Sequence, residues 1–373
     1  MKITCDREKL LCAFQTVASV APSRSPKPIL QNVKLDVTKQ KAVLIGTDLE
    51  MGIRTPADGI DVETPGSIVL PISRFGSILR ESSDEKLDLQ SDGQKTMVRG
   101  QRSEYQLPSE NPDEFPDVVT FEEKKYHELP ARFFREIVRR TVFATDNESS
   151  RYALGGVLLE MEADRITAVA TDGRRLARQQ GPATSVGGHV SGDVITIVPT
   201  RAMQLIERAI ADNEENIQIT GRDNDVLVKS GGTTIYSRLV EGRYPKWQDV
   251  FPRKDGTTQI ELMVGSFLSA VRQAAIVTSE NRRGVEFAFG GGKVVLAAHG
   301  AEYGESHVEL PIPYDGAEIT INLDPRYFVD FLKVLDLERT FVFTLRDENS
   351  ATTCSTDDGY AYVIMPLARD KKT

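Results

Sequence analysis

The chain has 373 residues, 40% hydrophobic and 27% charged, with a formal net charge of −9. This composition fits a soluble globular protein of two or three domains and argues against a surface that is basic all round and grips nucleic acid non-specifically. Cys5, Cys12 and Cys354 have no paired spacing, and the N-terminus MKITCDREKL is charged by Asp6. No disulfide framework, zinc site, secretory core or membrane-spanning run is therefore expected, and a reducing cytoplasm is.

The first predicted helix follows a short strand in ITCDREKLLCAFQTVASV from Ile3, with Asp6 as N-cap and Leu10, Leu11, Phe14, Val17 and Ala18 on one face. NVKLDVTKQKAVLIGTDLE from Asn32 then reads as a hairpin. A second helix comes from IVLPISRFGSILRES, with Pro71 near its start, and EYQLPSENPDEFPD (Glu104–Asp117) closes the segment.

The order then starts again. HELPARFFREIVRRTVFATD from His127 gives a helix with Pro130 near its first position and Phe133, Phe134, Ile137 and Val138 on one face. GVLLEMEADRITAVATDGR from Gly156 repeats the hairpin, Ala183–Asp193 reads as a flexible surface loop, and ITIVPTRAMQLIERAI brings the second helix after Pro199. Ile235–Pro252 closes this segment.

A third round follows. It consists of the helix in IELMVGSFLSAVRQAAIVTSE with Ser266 near its start, the hairpin GVEFAFGGGKVVLAAHGAE from Gly284, the helix in ITINLDPRYFVDFLKVL with Pro325, and a closing AYVIMPLARDKKT. The three hairpin copies begin at Asn32, Gly156 and Gly284. Each reaches its turn dipeptide, Thr47-Asp48, Thr171-Asp172 or His299-Gly300, at the same distance. A repeat this long means tandem domains, not solenoid units. The expected fold is α+β: three domains at 1–122, 123–254 and 255–373, each with two helices and about eight strands arranged as two β-α-β-β-β units. The tail from Ala368 is expected to fray.

The outward helix faces share a sign. Arg74, Ser77 and Arg80; Arg132, Arg135 and Arg139; Arg201, Gln204 and Arg208; Ser269, Arg272 and Gln273; and Arg326 with Lys333 fall opposite the apolar faces. Solvated faces normally mix both signs. Repeated arginine in an acidic chain predicts one shared basic surface that reads duplex phosphates without sequence preference.

Chemistry for an enzyme is not apparent. Asp48, Glu50 and Asp172 are expected to form turns, because the third copy has His299-Gly300 there. His127, His189, His299 and His307 lack ligand spacing, and Gly290-Gly291-Gly292-Lys293 reads as a hairpin turn, not a phosphate loop. No metal, cofactor or catalytic residue is expected. A metal-dependent nuclease and a monomeric protein-binding scaffold remain the rival classes; the basic faces argue against the second.

Pro28–Leu30 (PIL), Thr47–Met51 (TDLEM), Phe115–Asp117 (FPD), Ala170–Ala177 (ATDGRRLA), Leu239–Pro245 (LVEGRYP), Asn281–Phe287 (NRRGVEF) and Tyr362–Leu367 (YVIMPL) together resemble the bacterial DNA polymerase III β subunit, the sliding-clamp family, over the whole chain. The resemblance implies a head-to-tail homodimer closing into a ring around double-stranded DNA, as a non-catalytic processivity factor. It also implies a cleft for short peptides of the replicative polymerase α subunit, the clamp loader and other replication and repair proteins. The matching cleft positions are Leu154, Thr171, Gly173, Arg174, Arg175, Leu176, Pro245, Val250, Val363, Met365, Pro366 and Leu367. Departures from the family pattern are Arg174 where a histidine is usual, and Asp249 and Ala368 where arginine is common. The resemblance adds Arg24 to the DNA-facing set of Arg74, Arg80, Arg135, Arg139, Arg201, Arg208 and Arg272, and places Glu148 at a polar DNA-contact position. It puts Arg102 and Tyr105 of one subunit against Ile276 and Val277 of the other.

Overall fold

The computed structural model describes residues 1–146, 148, 153–192, 195–210, 215–252, 256–279, 283–300 and 304–367. The tail from Ala368, and the Asn281 end of the NRRGVEF motif, lie outside these. The described residues hold six α helices: α1 (Arg7–Ala18), α2 (Ile72–Glu81), α3 (Ala131–Thr141), α4 (Thr200–Ala209), α5 (Val264–Ala274) and α6 (Pro325–Leu332). A single strand precedes each helix and three follow it, which is the expected β-α-β-β-β unit. Extra strands, Ile60–Thr64 and Thr184–Val186, join the two units of the first and second thirds.

Local chemistry sets the helix starts. Asp6 caps α1 by accepting from the Lys9 amide (3.0 Å), and Asp324 caps α6 ahead of Pro325. Pro71 and Pro199 stand at the helix starts as N-cap residues, and Pro130 ends the strand before α3. All three tolerate proline because no intrahelical bond needs their missing N–H. Ser266 lies inside α5, after the N-cap Met263, and its hydroxyl donates to the Met263 carbonyl (3.3 Å).

The chain packs as two compact units: Met1–Phe134 with Glu162–Asp164 and Ala183–Leu239, and Arg135–Met161 with Arg165–Pro182 and Val240–Thr373. In the first unit a five-stranded sheet runs Ile60–Thr64, Lys2–Asp6, Lys86–Ser91, Lys95–Arg99, Glu104–Pro108. Beside it, a nine-stranded sheet joins the first third to the second where Met51–Pro56 pairs antiparallel with Thr233–Arg238. In the second unit Arg175–Pro182 pairs with Tyr360–Ile364 in the same way, joining the second third to the last. A separate four-stranded sheet there ends on Gly304–Pro311.

Each sheet buries its alternate residues under helices. Phe14 of α1 meets Phe75 of α2 edge-on at 5.2 Å, and Phe267 of α5 meets Phe328 of α6 at the same distance. The glycine run is the expected hairpin turn: Gly290 pairs with Lys293, and Gly291 and Gly292 have φ of 57° and 73°, a left-handed pair that glycine adopts without strain.

Part of the segment expected to be a flexible surface loop, Ala183–Asp193, is built into the sheet instead, and Asp193 lies outside the described residues. Thr184–Val186 adds to the sheet edge against Tyr126–Pro130, and the following His189 is buried. Its Nδ1 lies 2.7 Å from His127 Nδ1, itself fully buried. The partners fix the protons. The Glu162 carbonyl (2.5 Å) needs His127 Nε2–H, so His127 Nδ1 accepts from His189 Nδ1–H, and His189 Nε2 accepts from the Thr220 hydroxyl (3.3 Å). Burial, and then the neighbouring His127, push the His189 pKa below the ordinary histidine range.

A folded-state pKa below the unfolded one means that acid favours unfolding. The contribution is complete above about pH 6.5 and falls as pH drops below it, when the unfolded chain takes up the proton. Denaturant midpoints measured from pH 8 to pH 5 should decline in the parent. They should decline less steeply in His127→Phe/His189→Leu, and parallel curves would remove this pair as the cause.

Candidate partner cleft, basic helix faces and sheet edges

The two TD turns are built alike. Thr171 Oγ1 donates to the Arg175 carbonyl (2.6 Å), and Asp172 Oδ1 accepts from the Arg174 and Arg175 amides (2.9 and 3.0 Å). In the first unit Thr47 donates to the Met51 carbonyl (2.6 Å), and Asp48 accepts from the Glu50 and Met51 amides (3.0 and 2.7 Å). These aspartates are turn formers, as expected. Gly173 has φ of 83° and its counterpart Leu49 has 80°, a left-handed conformation that strains any residue with a Cβ.

In the second unit Thr171, Arg174, Arg175, Leu176, Val363 and Met365, from the predicted cleft set, meet at one strand junction. The Met365 amide donates to the Arg174 carbonyl (2.9 Å), extending the Arg175–Pro182 and Tyr360–Ile364 ladder by one step. Thr171, Leu176, Leu154 and Val363 are buried and form packing, not an open pocket wall. Met365 is 43% exposed; Pro245, Val250, Pro366 and Leu367 are half-buried; Gly173 and Arg174 are exposed. Met365 is thus the exposed apolar side chain of the set, followed in the chain by half-buried Pro366 and Leu367. Trp247 anchors the linker segment beside Val250 by donating to Glu160 (3.0 Å), and Arg178 stacks on Phe251 at 4.9 Å.

Arg175 departs from the expected rim role. Its guanidinium bonds Asp172 (3.0 Å), Asp330 (2.5 Å) and the Phe143 carbonyl (2.7 Å), and lies over the Tyr327 ring at 4.8 Å. Burial alone would lower its pKa, but Tyr362, Asp330 and Asp172 outweigh it and hold the charge more firmly than in a free arginine. It is a strut under the cleft. Asp330 and Phe143 were not legible as its partners, since they stand 155 and 32 positions away with no motif linking them.

The rim is acidic. Thr145, Asp146, Glu148, Asp172 and Arg174 line a cavity of about 390 Å³, and Asp249 is exposed. Glu148, expected toward DNA, is therefore grouped with the cleft residue Arg174. At the matching junction of the first unit a linker packs onto the sheet. Val118 packs so closely on Gly52, the counterpart of Leu176, that a Cβ there would meet Val118 at 2.7 Å. Phe115 and Val118 join Ile45 and Val69 in a buried cluster.

The helix faces are only partly as expected. Arg74, Arg80, Arg139, Arg208 and Arg272 are exposed, as is Arg24 in its loop, while Arg135 is half-buried. Arg201 is exposed but tied to Asp48 (2.9 Å) and the Val20 carbonyl (3.1 Å). On α1 the stripe fails. Its outward residues are Glu8, Lys9, Cys12 and Gln15, and Arg7 bonds the carbonyls of Leu79 and Asp84 (both 2.9 Å). Tyr105 (40% exposed) lies on the edge strand Glu104–Pro108 of the first unit, preceded by exposed Arg102. In the second unit Ile276 is 78% exposed beside half-buried Val277.

Comparison with known proteins decides the family. The models of the DNA polymerase III β subunit match in order: the N-terminal domain at residues 1–119, the central domain at 128–246 and the C-terminal domain at 248–368. The β sliding clamp of Pseudomonas putida is 30% identical, over 98% of this chain and all of the relative. The chain belongs to the β-sliding-clamp family. The Escherichia coli β sliding clamp is 28% identical over the same share. Among solved structures, a Pseudomonas aeruginosa sliding clamp with griselimycin bound is 28% identical with a TM-score of 0.91, and the Bacillus subtilis DNA polymerase sliding clamp is 24% identical with the same score. Each match covers 99% of this chain and all of the other. The three-domain clamp fold is thereby shown.

Because Arg175 neutralises two carboxylates from a half-buried position, Arg175→Met should cost about 3–5 kcal/mol of folding stability. Urea unfolding at neutral pH measures it; a loss under 1 kcal/mol would return Arg175 to the rim.

Proposed function

We propose that this chain is a processivity clamp: two copies close head to tail around double-stranded DNA and tether the replicative polymerase, with no catalysis of their own. The observation that carries the reading is a pair of unpaired edges. Within the chain, the last strand of one domain's first unit pairs with the last strand of the next domain's second unit, once as Met51–Pro56 with Thr233–Arg238 and again as Arg175–Pro182 with Tyr360–Ile364. The same rule leaves Gly304–Pro311 and Glu104–Pro108, each the outermost strand of its sheet among the described residues. Open strand edges call for a partner, and a heterologous contact that closes makes a ring.

In this reading the domains run 1–122, 123–254 and 255–373, and their helices line the hole in the cytoplasmic ring. Arg24, Arg74, Arg80, Arg135, Arg139, Arg208 and Arg272 face phosphates, and Arg201 contributes less because Asp48 holds it. A sparse basic lining on an acidic protein suits a ring held by topology, since strong contacts would stop it sliding. The surface around Met365, Pro366, Leu367, Pro245 and Val250 takes apolar side chains of short peptides from the polymerase α subunit, the clamp loader and other replication and repair proteins. Methionine adapts to varied partners.

Two measurements test the proposal. After loading onto a nicked circle by the cognate loader, the protein should stay bound and then leave within one linearisation step; equal retention on circle and line would mean ordinary surface binding. Met365→Ala should weaken a polymerase-tail peptide by about 1–2 kcal/mol in calorimetry, from lost apolar burial, while leaving thermal stability unchanged. Unaltered affinity would move the site elsewhere.

A further inference from the structure

The inter-chain seam can be specified residue by residue, an inference that rests on the ring reading above. The two internal seams share one register. Arg54, Ile53 and Gly52 oppose Thr234, Ile235 and Tyr236; Arg178, Ala177 and Leu176 oppose Ala361, Tyr362 and Val363. The open strands can be placed on the same scale from their own hairpins. Arg54 pairs with Ile45, Arg178 with Val169 and His307 with Ala297, and Ile45, Val169 and Ala297 occupy one position in the three hairpin copies. Likewise Ile235 pairs with Val228, Tyr362 with Cys354 and Tyr105 with Val98, each reached through an equivalent run of strand pairs from the strand before α3, α5 or α1.

We propose that the seam between copies repeats this register, setting Glu104 opposite the partner's His307, Tyr105 opposite the partner's Ser306 and Gln106 opposite the partner's Glu305. Burial supports it independently. Ile235 and Tyr362, the counterparts of Tyr105, are 1% and 0% exposed, whereas Tyr105 is 40% exposed in the single chain. Tyr362 packs on Phe143 with centroids 5.8 Å apart, and Phe143 holds the same place after α3 that Ile276 holds after α5. Tyr105 thus lands on the partner's Ile276, and the two most conspicuous apolar side chains of the open edges cover each other.

The register also puts a histidine against a carboxylate, which neither internal seam does. His307 already lies 3.1 Å from Glu309, which Lys293 holds at 2.9 Å; on the same hairpin His299 lies 3.2 Å from Glu305. Across the seam Glu104 is held by Arg99 at 2.5 Å, with Arg102 in the adjoining turn. Imidazole takes up its charge between pH 8 and pH 5. A protonated ring at position 307 would stand between Glu309 and the partner's Glu104, so the dimer is expected to tighten in acid and to lose that gain when the ring is neutral.

The test uses the full chain in a Cys12→Ser background. Cysteines at Gln106 and Glu305 (Gln106→Cys with Glu305→Cys) should form an intermolecular disulfide under mild oxidation, since directly opposed antiparallel residues have disulfide-compatible Cα spacing. The slipped pair, Tyr105→Cys with Glu305→Cys, should cross-link about ten-fold less; the reverse ranking overturns the register. By sedimentation, the dimer dissociation constant should fall about 2- to 10-fold from pH 8 to pH 6, as expected of exposed pairs at two seams. His307→Gln and Glu104→Gln should each flatten that dependence. A slope surviving in both overturns the pairing while leaving the ring intact. A monomeric mass at all concentrations would defeat the ring reading itself.

Discussion

Backbone pairing across domain boundaries is the constraint on which the rest of this structure depends. A β-α-β-β-β unit cannot satisfy the outer edge of its last strand alone, and an unpaired edge is both a lost set of hydrogen bonds and a template for wrong partners. Two such edges are met inside the chain by the ladders at Met51–Pro56 with Thr233–Arg238 and Arg175–Pro182 with Tyr360–Ile364. The ladders carry the registers of their neighbours with them, so domain order, turn position and linker path are set together. The surface proposed to take partner peptides lies at one of them. Where the linker side chain Val118 meets Gly52 the junction is filled; at the other junction Leu176 takes the place of that glycine and Met365 is exposed.

Charge in this acidic chain is divided between structural and accessible cations. Arg175 and Arg140 are buried in carboxylate and ring contacts. Arg140 bonds Gln179 (2.8 Å) and Asp358 (3.0 Å) and lies 5.0 Å over Tyr360. Burial works against the Asp358 carboxylate, yet Arg140, Thr356 and Arg339 together keep its pKa far below the ordinary range. Such cations stiffen the second junction and are lost to any ligand. The accessible ones sit on helix faces whose opposite sides are packed, so they are carried by rigid elements at no cost to the core. Their number is small, which suits a protein that must hold DNA without sticking to it.

The sequence by itself determined the elements and their threefold recurrence. Hydrophobic period, caps such as Asp6 and Asp324, and glycine turns such as Gly291-Gly292 are local, and local rules act whatever the rest of the chain does. Candidate cleft residues came only through a resemblance, because Leu176 and Val363 look like any core residues and are in fact buried. Tertiary structure alone decided which arginines are available. Arg201 has the same outward helical phase as Arg139 and Arg208, but its partner Asp48 is 153 residues away, just as the strand residue Arg175 finds Asp330 155 residues away. Helical phase says which side faces out, not what waits there. The same limit hid the His127–His189 bond, which follows the sheet-edge strand Thr184–Val186 in a segment that reads as loop. Contacts of long sequence separation have no signature in a single chain, because either partner alone satisfies every local rule.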